Sequence, residues 1–351
     1  MPSQKFVTID IGSAWTKVFL ASLDSDNKLI VEKSARLPTS WGNFSLATTS
    51  LVSKISEPAA SKIVVSHFPE VEKLAKKDNA DFVTEGEAAA ALVKYFKSSG
   101  ENFFILDAGA SNLREDFKTE DVGKYLTFNA NPIFLENFIG KKRYKPHILP
   151  ADTGELEIEE AFVRSSFQAK LFGRDKTKKS LITVTGGAVS GTPRLSRAAL
   201  ILLDILDDEE VVQVQFDRDF FLPSFGALLA KLKQLQGATY GKWLEDLGAF
   251  VSLGRALPIE LDWGYSQLQK VDMAPGEISL VPAPAEQKIK LTFVTKAKEK
   301  RKIDINGGSL GVVLDSRVKP LQLSFGQAES RRVMTEWLKQ IEQAEITREA
   351  F

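Results

Sequence analysis

Two aspartates carry the chemistry that this sequence offers most openly. Asp10 stands next to last in the apolar run "FVTIDI" and Asp107 ends "FFILD", and small residues follow each run, in "GSAWTK" and "AGASN". A carboxylate inside an apolar strand is costly unless a cation or hydrogen-bond donors meet it. Small residues just after it let backbone amides close on phosphate oxygens. In the first stretch Gly12 is followed by Ser13, Thr16 and Lys17, which can donate to such oxygens, and Lys17 adds positive charge for a developing anion. In the second, Gly109, Ala110 and Ser111 take the corresponding places. Asp10 and Asp107 together can hold a hydrated Mg²⁺ against those phosphates. A third element, Gly186, Gly187 and Ala188, stands between an apolar run and a helical pattern, where a backbone without side chains can lie against a base or sugar. Asp-x-Gly alone is an ordinary turn. The ordered set of three is far more specific.

The elements that must position these residues follow from periodicity. Residues 5–12 and 16–23 read as a hairpin broken at Gly12-Ser13, with a third strand at Leu29–Arg36 and another in "KIVVS", 62–66. A helical stretch runs on through Lys77, and "EGEAAAALVKYF", 85–96, has the alanine-rich composition of a packed helix just before the second aspartate. Residues 179–206 read as strand, glycine turn and then a helix apolar nearly all round, which should be buried. From about Gly248 the texture changes to short β-like runs punctuated by Pro and Gly, so a separate β-rich domain is expected at 248–328. A terminal helix follows at 329–351, its face of Met334, Trp337, Leu338 and Ile341 a candidate for partner contact.

Composition narrows the class. Forty-six basic residues balance 46 acidic ones, so the overall charge recruits neither nucleic acid nor an anionic membrane. The absence of cysteine removes disulfides, thiolate nucleophiles and zinc–sulfur sites. His67 and His147 have no carboxylates at metal-ligand spacing and read as structural. The basic clusters at 140–145, 173–179 and 296–302 read as solvated loops, and "QFDRDFFLPSFG" as a packed aromatic loop. The N-terminus has no export-signal pattern and no run is long enough to span a bilayer, so a cytoplasmic location is expected.

The order of first phosphate loop, connecting helix, second phosphate loop and nucleotide-side turn resembles the superfamily of actin, DnaK-type chaperones and sugar kinases. That resemblance implies an α/β, ribonuclease H-like fold of two related lobes over residues 1–247 (about 1–112 and 113–247), with ATP and Mg²⁺ between them. Asp10, Gly12, Ser13, Thr16 and Lys17 would form the first loop, Asp107, Gly109, Ala110 and Ser111 the second, and Gly186, Gly187 and Ala188 the turn. Glu85 falls where DnaK-type chaperones carry a glutamate near the attacking water, with Glu87 as its competitor. "DIGSAWTKV", "AALILLDIL…VVQVQFDRDFFLPSFGALLA" and "INGGSLGVVLDSRVKPLQL" are more closely similar to the GlmL family, actin-like proteins associated with adenosylcobalamin-dependent glutamate mutase. This implies an accessory or chaperone-like role in which lobe closure remodels a partner. An actin-like assembly or division adaptor, with self-association, and a small-molecule kinase are the alternatives on the same fold. The second loop departs from the family's Gly-Gly-Ala-Thr-Thr-Asp, so slow hydrolysis is expected, and the chain is shorter than the family's.

Overall fold

The computed structural model describes residues 4–26, 28–55, 57, 60–97, 102–109, 118–171, 181–232, 235, 239–240 and 243–349. Strands β1 (Gln4–Ile11) and β2 (Trp15–Leu23) form the expected hairpin, and β3 (Lys28–Pro38) runs antiparallel beside β2. Helix α1 (Phe44–Ile55) crosses to β4 (Ser61–Ser66), and α2 (Pro69–Lys77) to β5 (Asp81–Thr84); β4 lies parallel to β1, and β5 to β4. The order β5-β4-β1-β2-β3, with only β2 reversed, is that of a ribonuclease H-like half. Period two sorts β1 between two cores. Val7, Ile9 and Ile11 face α1 and α2, while Phe6 and the positions alternating with it, Thr8 and Asp10, turn to the other side.

Helix α3 (Glu85–Lys97) leads out of this sheet to β6 (Phe103–Asp107), which opens the second. Helices α4 (Thr119–Gly123), α5 (Pro132–Tyr144) and α6 (Thr153–Leu171) precede β7 (Leu181–Thr185), parallel to β6. After α7 (Gly187–Ser190) and α8 (Leu195–Leu203), β8 (Glu210–Phe216) lies parallel to β7. Residues 196–203 of α8 are all buried, as the all-round apolar pattern requires. Helix α9 (Leu222–Lys231) then returns to the first sheet and packs on α3, so tightly that a Cβ on Gly226 would lie 2.5 Å from the Ala88 carbonyl oxygen. Short β9 (Thr239–Tyr240) extends the first sheet beside β3.

The rest of the chain departs from the expected division. The boundary at 247/248 falls inside β10 (Glu245–Ser252), which joins the second sheet next to β8. Of the strands that follow, β11 (Pro258–Asp262), β12 (Leu268–Asp272), β14 (Lys288–Val294) and β15 (Lys300–Asn306) form a small antiparallel sheet in the order β12-β11-β14-β15. Strands β13 (Ile278–Val281) and β16 (Gly311–Asp315) complete the second sheet, in the order β13-β16-β10-β8-β7-β6. The small sheet is therefore an elaboration of the second lobe. Its Ile259, Leu261, Ile289 and Leu291 share one core with Ala249, Val251, Val312 and Leu314, whereas Phe250 and Val313, one residue out of phase, face the helical side.

Helix α10 (Ala328–Glu349) also corrects an expectation. Met334, Trp337 and Ile341 are buried in the second lobe's own core, so this stripe is not a docking surface. Glu345 accepts hydrogen bonds from the backbone N–H groups of Leu195 and Ser196 (3.1 and 3.2 Å), capping α8, and Arg197 bridges Glu160 and Glu342. Under Trp337, Arg317 is buried among Asp204 (2.8 Å) and Asp315 (2.8 Å), Lys319 completes the group, and the indole covers the guanidinium at 4.7 Å. No helix among the described residues is long and apolar enough to cross a membrane.

Candidate functional site

Parallel strands end on the same edge of a sheet, and the loops beyond those ends make the crevice. Here the ends of β1 and β6 face each other across a cleft of about 520 Å³ between the two sheets. Asp10, Gly12, Ser13 and Lys17 line it from the first sheet; Asp107, Gly109, Gly186, Gly187 and Ala188 line it from the second. Ala110 and Ser111 lie outside the described residues.

The carboxylate inside β1 has its explanation across the hairpin. Asp10 and Lys17 are register partners, and Lys17 Nζ sits 2.6 Å from Asp10 Oδ2. Burial pushes the Asp10 carboxyl up, and the Lys17 ammonium pulls it back toward the ionised form. Asp107 is ringed by protein but open to the cleft, so water still reaches it. Its surroundings raise it too, opposed by the Gly109 N–H that donates to Oδ1 at 2.7 Å and by Lys17. Lys17 thus serves both aspartates. Phe220 flanks it, ring centroid 5.6 Å from Nζ, within cation–π range.

The second loop and the glycine turn are one interlocked unit. The Ala108 N–H donates to the Thr185 carbonyl (2.8 Å), and the Ala188 N–H reaches the Ala108 carbonyl (3.4 Å). Gly186 has φ +94°, and a Cβ there would stand 2.4 Å from both Ala108 C and Gly109 N. Only glycine meets both demands. Gly187 is the opposite case: a Cβ would meet nothing within 4 Å, because its open side faces the cleft. Asp217 braces the unit from below, accepting from Thr185 Oγ1 (2.9 Å) and from the N–H groups of Phe221 and Leu222 (2.8 and 2.7 Å). Burial pushes its carboxyl up to about 6 in spite of these donors.

Three sequence readings change here. Thr16 is not on the cleft: it is fully buried, 3.2 Å from Thr39 Oγ1, and Thr39 in turn donates to the Gly12 carbonyl at 2.7 Å. It faces the loop's back because it lies opposite Ile11, on the alternate side from Lys17. His67 is no mere packing residue: Nε2 lies 3.1 Å from Ser13 Oγ and Nδ1 2.8 Å from Glu85 Oε1. The signal for it was positional, since His67 directly follows β4, whose end must sit beside the loop after β1. And the cluster at 140–145 is not simply solvated, for Lys142 and Arg143 line the cleft wall, Lys142 paired with Glu159 at 2.6 Å. Of the two candidate glutamates, Glu85 lines the cleft, whereas Glu87 accepts from the Thr84 N–H (2.8 Å) in a capping box that starts α3.

The first sheet's strand order and the facing loops define an α/β protein with a ribonuclease H-like half and a cleft between its two sheets. Its second half keeps the parallel trio β6-β7-β8, but among the described residues no hairpin follows β6, which forms the sheet edge. Among solved structures the chain is similar to component A of (R)-2-hydroxyglutaryl-CoA dehydratase from Acidaminococcus fermentans, at 12% identity over 66% of this chain and 99% of that one, with a TM-score of 0.37. It is similar to a ROK family glucokinase from Streptomyces griseus in complex with glucose and AMPPNP, at 11% identity, 64% and 97% coverage and a TM-score of 0.36. A third is ethanolamine utilization protein EutJ from Carboxydothermus hydrogenoformans, at 13% identity, 65% and 90% coverage and a TM-score of 0.36. None of these likenesses speaks to an activity of this chain. No protein-family model matches the sequence, and no curated protein does.

Proposed function

We propose that the chain binds ATP with Mg²⁺ in the cleft and couples it to movement of the two lobes in service of a protein partner. The observation that carries this reading is convergence: both aspartate loops and the glycine turn, far apart in sequence, line one cleft. The residues suit the ligand. Gly187 leaves room where a side chain would otherwise stand, so a sugar or base can lie against α7. Asp10 and Asp107, which line the cleft from its two sides, suit a metal held through water. When bound, Mg²⁺ would neutralise charge on the phosphates. The chain's own part is to hold the triphosphate on the amides of both loops and to balance its charge with Lys17, Lys142 and Arg143.

The partner reading draws on the GlmL resemblance: a reactivating or chaperone-like role toward a cobalamin-dependent mutase. The small sheet is the surface we assign to partner contact, with Tyr265 and Leu268 exposed on it. A second reading, a nucleotide-switched assembly adaptor, is favoured by one observation. Glu85 Oε1, the candidate for orienting water, is engaged by His67, which disfavours fast hydrolysis.

Calorimetric titration with MgATP tests the binding step. Wild type should bind, and Asp10→Ala/Asp107→Ala should bind at least ~10-fold more weakly, a loss of about 1.4 kcal/mol. Equal affinity for both proteins would remove the phosphate-loop reading. Titration of the purified chain with mutase subunits, with and without MgATP, separates the accessory role from self-assembly followed by light scattering.

A further inference from the structure

We propose that Ser13 is a phosphoryl acceptor, so that the cleft phosphorylates its own first loop; this rests on the ATP reading above. Ser13, His67 and Glu85 form a hydrogen-bonded chain, Oγ to Nε2 at 3.1 Å and Nδ1 to Oε1 at 2.8 Å. In the tautomer that donates Nδ1–H to the Glu85 carboxylate, Nε2 is left as the acceptor and the Ser13 O–H donates to it. A hydroxyl aimed in this way at a base is an activated nucleophile, with the carboxylate fixing the base's tautomer.

Each member is held in place. Phe68 lies against the imidazole, ring centroids 3.9 Å apart. The Ser13 carbonyl accepts from Trp41 Nε1 at 2.9 Å, the Gly12 carbonyl from Thr39 Oγ1 at 2.7 Å and the Ala14 carbonyl from the Thr39 N–H at 3.0 Å, so the loop is tied on both sides of the serine. Ser13 is only 4% exposed, and what it exposes faces the cleft. Fixed geometry of this kind lowers the entropic cost of attack. The loop's own chemistry selects the group: its backbone, Lys17 and two carboxylates suited to hydrated Mg²⁺ serve phosphate better than an acyl carbonyl.

The step balances with residues and ligand already named. Ser13 Oγ forms a bond to the γ-phosphorus, the bond from that phosphorus to the β–γ bridging oxygen breaks, ADP leaves with the bonding pair, and the serine proton passes to His67 Nε2. The product carries about two negative charges close to Asp10 and Glu85, so the modified cleft should take a second triphosphate less readily.

The full-length chain incubated with saturating MgATP labelled in the γ-phosphate, followed by intact mass and peptide mapping, decides it. The expected result is one phosphoryl group per chain, on Ser13. Ser13→Ala should abolish the label and Ser13→Thr, which keeps a hydroxyl, should restore part of it. His67→Gln should slow labelling on the order of 100-fold, and Glu85→Gln should slow it at saturating nucleotide, where lost affinity cannot mimic the effect. Calorimetry on the same wild-type sample keeps the two readings apart: no binding removes the ATP reading and this proposal with it, while binding with Ser13 unlabelled, or label that persists undiminished in Ser13→Ala, overturns this proposal alone.

Discussion

Gly186 and Gly187 are neighbours in sequence with opposite surroundings, and replacing each by alanine gives opposite expected outcomes. At Gly186 a Cβ would be about 1 Å short of ordinary contact with Ala108 C and Gly109 N, at 2.4 Å from each. The φ of +94° adds backbone strain of roughly 1–2 kcal/mol for any L residue, and overpacking against main chain adds about 1–3 kcal/mol. Gly186→Ala should therefore cost roughly 2–5 kcal/mol, or relieve part of that by pushing the second loop out of position and weakening MgATP binding. Gly187 lies at the start of α7, where alanine gains up to about 1 kcal/mol of helix propensity, so Gly187→Ala should unfold no earlier than wild type. Its methyl would project into the open cleft, so nucleotide affinity should fall, by ~10-fold or about 1.4 kcal/mol. Urea unfolding and calorimetry on the two variants make the comparison. If Gly186→Ala keeps both its unfolding midpoint and its affinity, the interlocking of turn and second loop is refuted; if Gly187→Ala binds MgATP like wild type, the nucleotide does not lie against α7.

Three further outcomes follow from the packing and the buried charges. Ile341→Ala, at a fully buried position of α10, should cost about 2–5 kcal/mol in chemical unfolding, as a packing helix requires and a free docking helix would not. Asp315→Asn should cost about 3–5 kcal/mol by the same measurement, because Lys319 would lose its buried carboxylate partner and Arg317 would keep only Asp204 of its two. Asp217 titrates higher in the folded chain, about 6, than in the unfolded one, so the folded state binds the extra proton and stability falls as pH rises from the ordinary carboxylate range to about 6. Asp217→Asn should flatten that part of the stability–pH curve, and an unchanged slope would exclude Asp217 as its source.

The first lobe was legible because its signals are local. Alternation fixed the faces of β1, the Gly12-Ser13 break fixed the hairpin, and the three glycine-rich turns were visible as small residues after apolar runs. What sequence spacing could not convey was which side of a loop a residue takes. Thr16 and Lys17 are adjacent, yet one braces the loop from behind and the other faces the cleft. His67 was passed over because its partners lie 54 residues before it and 18 after it, and only parallel pairing of β4 with β1 brings them together. The small sheet was recognisable from its short alternating runs, but the strands before, between and after it belong to the second sheet, and nothing in their texture marks that membership. The amphipathic face of α10 was equally plain. Whether such a face meets a partner or its own core depends on what the fold leaves uncovered.

Glu345 caps α8 across a separation of 150 residues, and that bond says something about the order in which the molecule can be made. A ribosome delivers the glycine turn and α8 long before it delivers α10, so during synthesis the amides at the start of α8 wait uncapped and its apolar face stays without Met334 and Ile341. Long-range contacts of this kind repay loop-closure entropy late and leave apolar surface open in the interval. The first sheet is in a similar position, since the face bearing Phe19 needs Phe221, which caps α9, and Phe225 within it. Neither half is therefore a self-sufficient folding unit of the nascent chain. Helix α10, which emerges after every strand of the second sheet, acts as the latch that commits the second half, so expression yield should respond to substitutions in α10 more steeply than equilibrium stability does.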